Sequence, residues 1–216
     1  MATDEEQRLR RTLTIAQLRD AASGLSYRAL QLTGVAGMSV TRAEYATLNS
    51  FFSQTIKNAL IESSLTHARA LAYFFTRQPH DVHFDDIPSD WKPRNEFVGL
   101  AKRISSPIST GHSHSQPGSP DGDPHPGEWP TVEMAVVLVG EFARFFTLVD
   151  PTACDLAWFS PCPVDTYRSL MSTNPLAEFT VVSDNEKVAS LTESLRAYLR
   201  KHGPPTIPKK RTGETP

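Results

Sequence analysis

The polar residues best equipped for chemistry fall in one stretch, Asn58-Ala-Leu-Ile-Glu62-Ser-Ser-Leu-Thr-His67-Ala-Arg69. A carboxylate, an imidazole and a guanidinium could together move a proton and hold an anion. Whether they can act together depends on the helix that carries them. At about 100° per residue, Phe52, Ile56, Leu60, Ser63, His67, Leu71 and Phe74 share one face. Asn58, Glu62, Thr66 and Arg69 fall on roughly the opposite one. One straight helix therefore cannot present Glu62, His67 and Arg69 on a single surface. His67 reads as a neutral core histidine bonded to a carbonyl or hydroxyl, with a general base or ligand in an interhelical crevice as the functional alternative. Glu62 and Arg69 read as an ion pair or as interhelical hydrogen bonds. Asn58, Glu62, His67 and Arg69 are the candidate site residues, and no catalytic role is assigned to any of them.

Metal chemistry has two candidate stretches. His80, His83, Asp85 and Asp86 lie together in one, and His112, His114, Asp121, Asp123 and His125 in the other. Zinc and nickel accept such ligands. A loop rich in Gly, Pro and Ser holds none of them rigidly, so no metal and no cofactor is expected. The chain has no Gly-rich phosphate loop, no Gly-x-Ser-x-Gly elbow and no His-Glu-x-x-His helix. Cys154 and Cys162 are too few for a disulfide framework and read as two free, partly buried thiols.

The elements that must position these residues are helical. None of the 17 prolines precedes Pro79, and six fall between Pro107 and Pro130. Proline is excluded from helix interiors, so the first third predicts long helix. Ile15, Leu18, Ala22, Leu25, Ala29, Leu32 and Ala36 form a heptad seam in which Ala lets another helix approach closely. Gly34 and Gly37 are expected to end this helix. Thr41-Arg-Ala-Glu44 reads as a capping box opening a second one, which runs toward Pro79 and folds back on the first as an αα-hairpin. Phe97, Leu100, Ala101 and Ile104 mark a third helix. Thr131–Val149 is a buried fourth, with polar Glu133, Glu141 and Arg144 at helical spacing; a strand over Met134–Val139 is the competing assignment. Residues 150–176 are expected to be irregular, Glu178–Val182 is a candidate short strand, and a last helix covers Asp184–Lys201.

The run Leu65-Thr66-His67-Ala68-Arg69-Ala70-Leu71, on a long second helix, resembles a stretch in uncharacterised bacterial all-helical, HEPN-like proteins. That resemblance implies a helical bundle and a setting in toxin–antitoxin, abortive-infection or RNA-processing systems. Active HEPN ribonucleases carry Arg, four to six residues, then His, and cleave RNA without a metal. Arg77…His83 and Arg196…His202 have that spacing. Fifteen arginines and seven histidines supply about as many such pairs by chance. The first pair spans Pro79, and the second runs off a helix end.

The expected fold is mainly α, a helical bundle built on a long αα-hairpin with a disordered Pro/His/Ser-rich loop. Residues 1–11 and 203–216 are expected to be disordered tails flanking a single domain, 12–202, with its flexible linker at 107–130. A net charge of −2 argues against a protein that coats nucleic acid but leaves a local RNA site open; RNA stays open yet unsupported, and DNA has no evidence. No run of about 18 apolar residues occurs, and no signal-peptide-like stretch opens the chain, so no membrane association and a cytoplasmic location are expected. The functional expectation is a non-enzymatic component acting through a protein partner or a homodimer, with a metal-independent HEPN-like ribonuclease as the alternative.

Overall fold

The computed structural model describes residues 13–40, 50–76, 82–106, 129–173 and 186–208. The described residues form six α-helices and no strand: α1 Ile15–Val40, α2 Ser50–Phe75, α3 Asn95–Ser105, α4 Thr131–Thr147, α5 Pro163–Ser172 and α6 Glu186–His202. The fold is a mainly α helical bundle. The capping box at 41–44, the linker 107–128 and the candidate strand at 178–182 lie outside the described residues.

The heptad seam is used within the chain from Leu18 onward, whereas Ile15, in the first turn, is 71% exposed. Ala22, Ala29, Leu32 and Ala36 are fully buried, and Leu18 and Leu25 pack partly against the core. α1 rests on α2, α4 and α5 through this face. Gly34 and Gly37 do not end α1, which continues to Val40. An isolated glycine costs a helix only about 1 kcal/mol, and Val35 and Ala36 are both buried beside them.

α4 is the central element. Thirteen consecutive residues, Thr131–Ala143, are buried, and the helix touches α1, α2, α5 and α6. That environment explains why an almost wholly apolar run is a helix here and not a strand. Aromatic rings fill the space beside it. Phe74 meets Phe142 and Phe145 edge-on at 5.9 and 5.1 Å, and Phe75 lies 5.0 Å from both Trp91 and Phe97. The segment after α2 is tied to the exit of α4 by two backbone hydrogen bonds, from Asp90 N–H to the Leu148 carbonyl and from Asp150 N–H to the Pro88 carbonyl.

Two further expectations are corrected. Residues 163–172 are not irregular but form α5. Pro163 occupies the first turn, where its missing N–H costs nothing and its fixed φ suits the helix. Val164, Tyr167 and Leu170 then bury one face. The chain after α6 also does not leave the bundle at once. Gly203, at φ +68°, closes the helix with an N–H bond to the Leu199 carbonyl. Pro205 is buried against Gly140 of α4 and the Tyr167 ring of α5.

Candidate functional site

Of the candidate residues, His67 has a defined polar partner on another helix. It is 8% exposed. Its Nδ1 accepts from Nη1 of Arg28 on α1 at 3.3 Å. An arginine always donates, so the ring is held neutral with its proton on Nε2. Tyr27 meets the imidazole edge-on at 6.2 Å. Glu62 and Thr66 are exposed on the other side of α2, and Arg69 is half-buried. The Asn58 side chain lies outside the described residues. Glu62 and His67 therefore stand on different sides of α2.

Burial lowers the pKa of His67 from its ordinary value of 6.5, and the Arg28 charge lowers it further. The unfolded chain then binds more protons than the folded one as pH falls below 6.5, so acidification should destabilise the fold. We expect the urea midpoint to drop between pH 7.5 and pH 5.5. His67→Asn should flatten that part of the profile, and Arg28→Ala should shrink it by removing the repulsion.

The other sequence candidates are occupied elsewhere. His83 is buried and caps a short 3-10 turn, its ring accepting from Asp85 N–H while Asp86 accepts from His83 N–H. Arg196 pairs with Glu133 at 2.9 Å, whereas His202 bonds Glu96 at 2.9 Å. The Arg196…His202 spacing thus serves two separate carboxylates. Arg77 and His80 lie outside the described residues. Among those described, no three His, Cys, Asp or Glu side chains converge as metal ligands. Both cysteines are free thiols; burial and then the nearby Asp155 charge push the Cys154 thiol up.

The densest polar network was not foreseen. Glu141, 1% exposed in the middle of α4, accepts from Arg144 Nε at 2.8 Å and Trp91 Nε1 at 3.3 Å on one oxygen. Its other oxygen accepts from the Tyr198 hydroxyl at 3.1 Å. Arg144 also donates to the Lys92 carbonyl at 3.1 Å and lies 5.5 Å from the centre of the Trp91 ring. Burial, followed by the Glu141 charge, pushes the Tyr198 phenol up to about 12. Two helical turns away, buried Glu133 is held by Arg196. Every oxygen of Glu141 is committed, and the donors come from α4, α6 and the segment before α3. The network therefore fastens elements together and offers no group to a substrate.

The outer face of α1 is the opposite case. Ala16, Asp20, Ser23, Tyr27, Leu30, Gly34 and Met38 lie along one stripe at helical spacing, and all are exposed. Tyr27 is 50%, Leu30 42% and Met38 46% exposed. A methyl group built at Gly34 would meet nothing within 4 Å. The stripe lies on the same helical wheel as the buried seam, displaced to the other side. No helix among the described residues is long and apolar enough to cross a membrane.

Comparison with known proteins gives no relative: no family model, no curated sequence and no solved structure matches the chain.

Proposed function

We propose that this protein is a non-enzymatic helical component that acts through protein contacts, and that the outer face of α1 makes them. The observation that carries this reading is the exposed apolar stripe of Tyr27, Leu30 and Met38 on a helix whose other face is sealed in the core. The setting in a bacterial stress or defence system and a cytoplasmic location belong to the same proposal and rest on the resemblance alone.

The partner the stripe fits is a second copy of itself. Antiparallel pairing about Tyr27 sets Met38 of one copy over Ala16 of the other and Leu30 over Gly24, beside Ser23. Asp20 then lies over Gly34, where no side chain opposes it. Large side chains meet small ones on either side of the tyrosine pair, and the patch is self-complementary, as a two-fold dimer requires. One 26-residue helix per copy, about 39 Å long, makes a contact smaller than the roughly 800 Å² per partner of a standard interface. The dimer is therefore weak and reversible.

Sedimentation of the full chain at concentrations up to about 1 mM, the weak end of specific association, should show the mass rising from 23.9 kDa toward twice that value. Leu30→Glu should stay monomeric with an unchanged melting temperature, because Leu30 is exposed. A chain that is monomeric throughout, with no response to Leu30→Glu, sinks the self-association.

The ribonuclease alternative draws on one observation, the Arg28–His67 pair. Against it, the imidazole is nearly sealed and its acceptor nitrogen is occupied by the arginine. A ring in that state is poorly placed to take a proton from a ribose hydroxyl.

A further inference from the structure

The Arg28–His67 contact holds in one protonation state only. Nδ1 of His67 accepts from Nη1 of Arg28 at 3.3 Å. A protonated imidazole cannot accept there, because both of its nitrogens are donors. One added proton therefore sets donor against donor and positive charge against positive charge. The elements packed on α2, which are α1, α3 and α4, supply no carboxylate to offset it among the described residues. On α4, Glu133 is held by Arg196 and Glu141 by Arg144. On α3, Glu96 is held by Lys201 and His202, and the other charged residues, Lys102 and Arg103, are cations. On α2 itself, Glu62 is exposed on the other side and half-buried Arg69 is again a cation. On α1, Arg19 and Asp20 are exposed, and Arg28 is the group whose charge acts on the ring.

This contact sits at the centre of the α1 stripe. Tyr27 meets the imidazole edge-on at 6.2 Å, and the guanidinium carbon of Arg28 lies 6.0 Å from the centre of the Tyr27 ring. The three side chains thus brace one another, with Arg28 half-buried between α1 and α2. Arg28 follows Tyr27 directly, so antiparallel pairing about Tyr27 brings Arg28 of each copy within one helical turn of the two-fold axis. Protonation would release two guanidinium groups beside the tyrosine pair and add a charge behind each. Like charges facing across a contact weaken it.

We propose that Arg28 and His67 form a proton-sensitive latch on the α1 contact, which pairs while the ring is neutral and parts when the ring takes a proton. The latch presupposes the self-association of α1 proposed above and names its control. By linkage, a proton that parts the copies must in turn bind less readily once they are paired.

Sedimentation of the full chain at pH 7.5 and pH 5.5 tests this, with circular dichroism showing that the helices persist at both. The Kd should rise about fivefold or more at the lower pH, since two rings take up protons as each dimer parts. His67→Asn, whose amide oxygen accepts from Arg28 at either pH, should associate at pH 7.5 and keep its Kd at pH 5.5. Arg28→Gln is the second variant, should His67→Asn fold poorly. Its amide donates to a neutral ring and accepts from a protonated one, so most of the pH response should disappear. The imidazole signal of His67 in proton magnetic resonance should also titrate at a lower pH in concentrated than in dilute protein, which acid loosening of the fold alone would not cause. Absence of association at pH 7.5 overturns the self-association and the latch with it. Equal association at both pH values, or a full pH response in His67→Asn and Arg28→Gln, overturns the latch and leaves the α1 contact standing.

Discussion

Replacing Glu141 with Leu should destabilise the protein by about 3–5 kcal/mol, the range for breaking a buried charge network by removing one partner. Leu fills part of the space, but three donors lose their acceptor. The Trp91 indole N–H and the Tyr198 hydroxyl have no second acceptor of their own in the network. Arg144 retains the Lys92 carbonyl and the Trp91 ring, yet its charge loses the carboxylate that faces it there. Glu141→Gln should cost less, about 1–3 kcal/mol, because the amide oxygen still accepts one bond while the charge is gone. Glu133→Leu should also cost less than Glu141→Leu, since Arg196 is more exposed than Arg144 and can turn to water. Thermal or urea unfolding followed by circular dichroism reads all three. A Glu141→Leu protein within about 0.5 kcal/mol of the parent, the scatter of ordinary surface changes, would show that the network fastens nothing.

The second large effect is expected at Gly140. A Cβ there would sit 2.7 Å from Pro205 Cγ and 2.9 Å from both Pro205 Cβ and Tyr167 Cε2. Those distances are inside van der Waals contact, so either the chain after α6 lifts or the Tyr167 ring shifts. Overpacking of this kind costs about 1–3 kcal/mol, against roughly 1 kcal/mol gained by Gly→Ala in a helix. Gly140→Ala should therefore destabilise on balance, and Gly140→Val more so. Truncation after His202 supplies the diagnostic. In the parent it removes the buried Pro205 and should destabilise; in Gly140→Ala it also removes the clash, so the two changes should cost less together than their separate effects imply. Strict additivity would mean that Pro205 does not rest on Gly140.

Both sites show what the sequence could and could not disclose. The heptad seam of α1, the Phe97-Leu100-Ala101-Ile104 face of α3 and the apolar run of α4 were legible because helical periodicity is a local signal. The same signal located Glu133, Glu141 and Arg144 on α4. It could not reveal their partners: Trp91 and Tyr198 are 50 and 57 residues from Glu141, and Arg196 is 63 from Glu133. Only the folded bundle brings them together. α5 falls in the stretch 150–176 expected to be irregular; its proline-rich sequence hides a helix, because Pro163 stands at the helix start, where proline is tolerated. The Arg28–His67 contact was hidden for the same reason as the network, its two residues being 39 apart in sequence. The expectation that His67 is a neutral histidine on the buried face agrees with its burial, although its partner is a guanidinium and not a carbonyl or hydroxyl. The stripe of Tyr27, Leu30 and Met38 was visible in principle. It was passed over because attention to the seam treats the remainder of a helix as solvated.

The division between these two settings underlies the functional reading. Where α4 carries charge, donors from several elements close around it. Where α1 carries apolar surface, Tyr27 and Leu30 stand about half exposed. On the proposed reading the core gives rigidity and the first helix makes the contacts.

A crosslink at the proposed two-fold axis tests that claim most directly. In a Cys162→Ser background, with buried Cys154 unreactive, Tyr27→Cys places a thiol where the two copies of α1 should cross. Mild oxidation should give a covalent dimer from Tyr27→Cys alone, and a mixed dimer when Ala16→Cys and Met38→Cys proteins are combined. Failure of Tyr27→Cys to crosslink, or self-crosslinking of Ala16→Cys as efficient as that of Tyr27→Cys, would contradict the antiparallel contact and with it the account of α1 as the working surface.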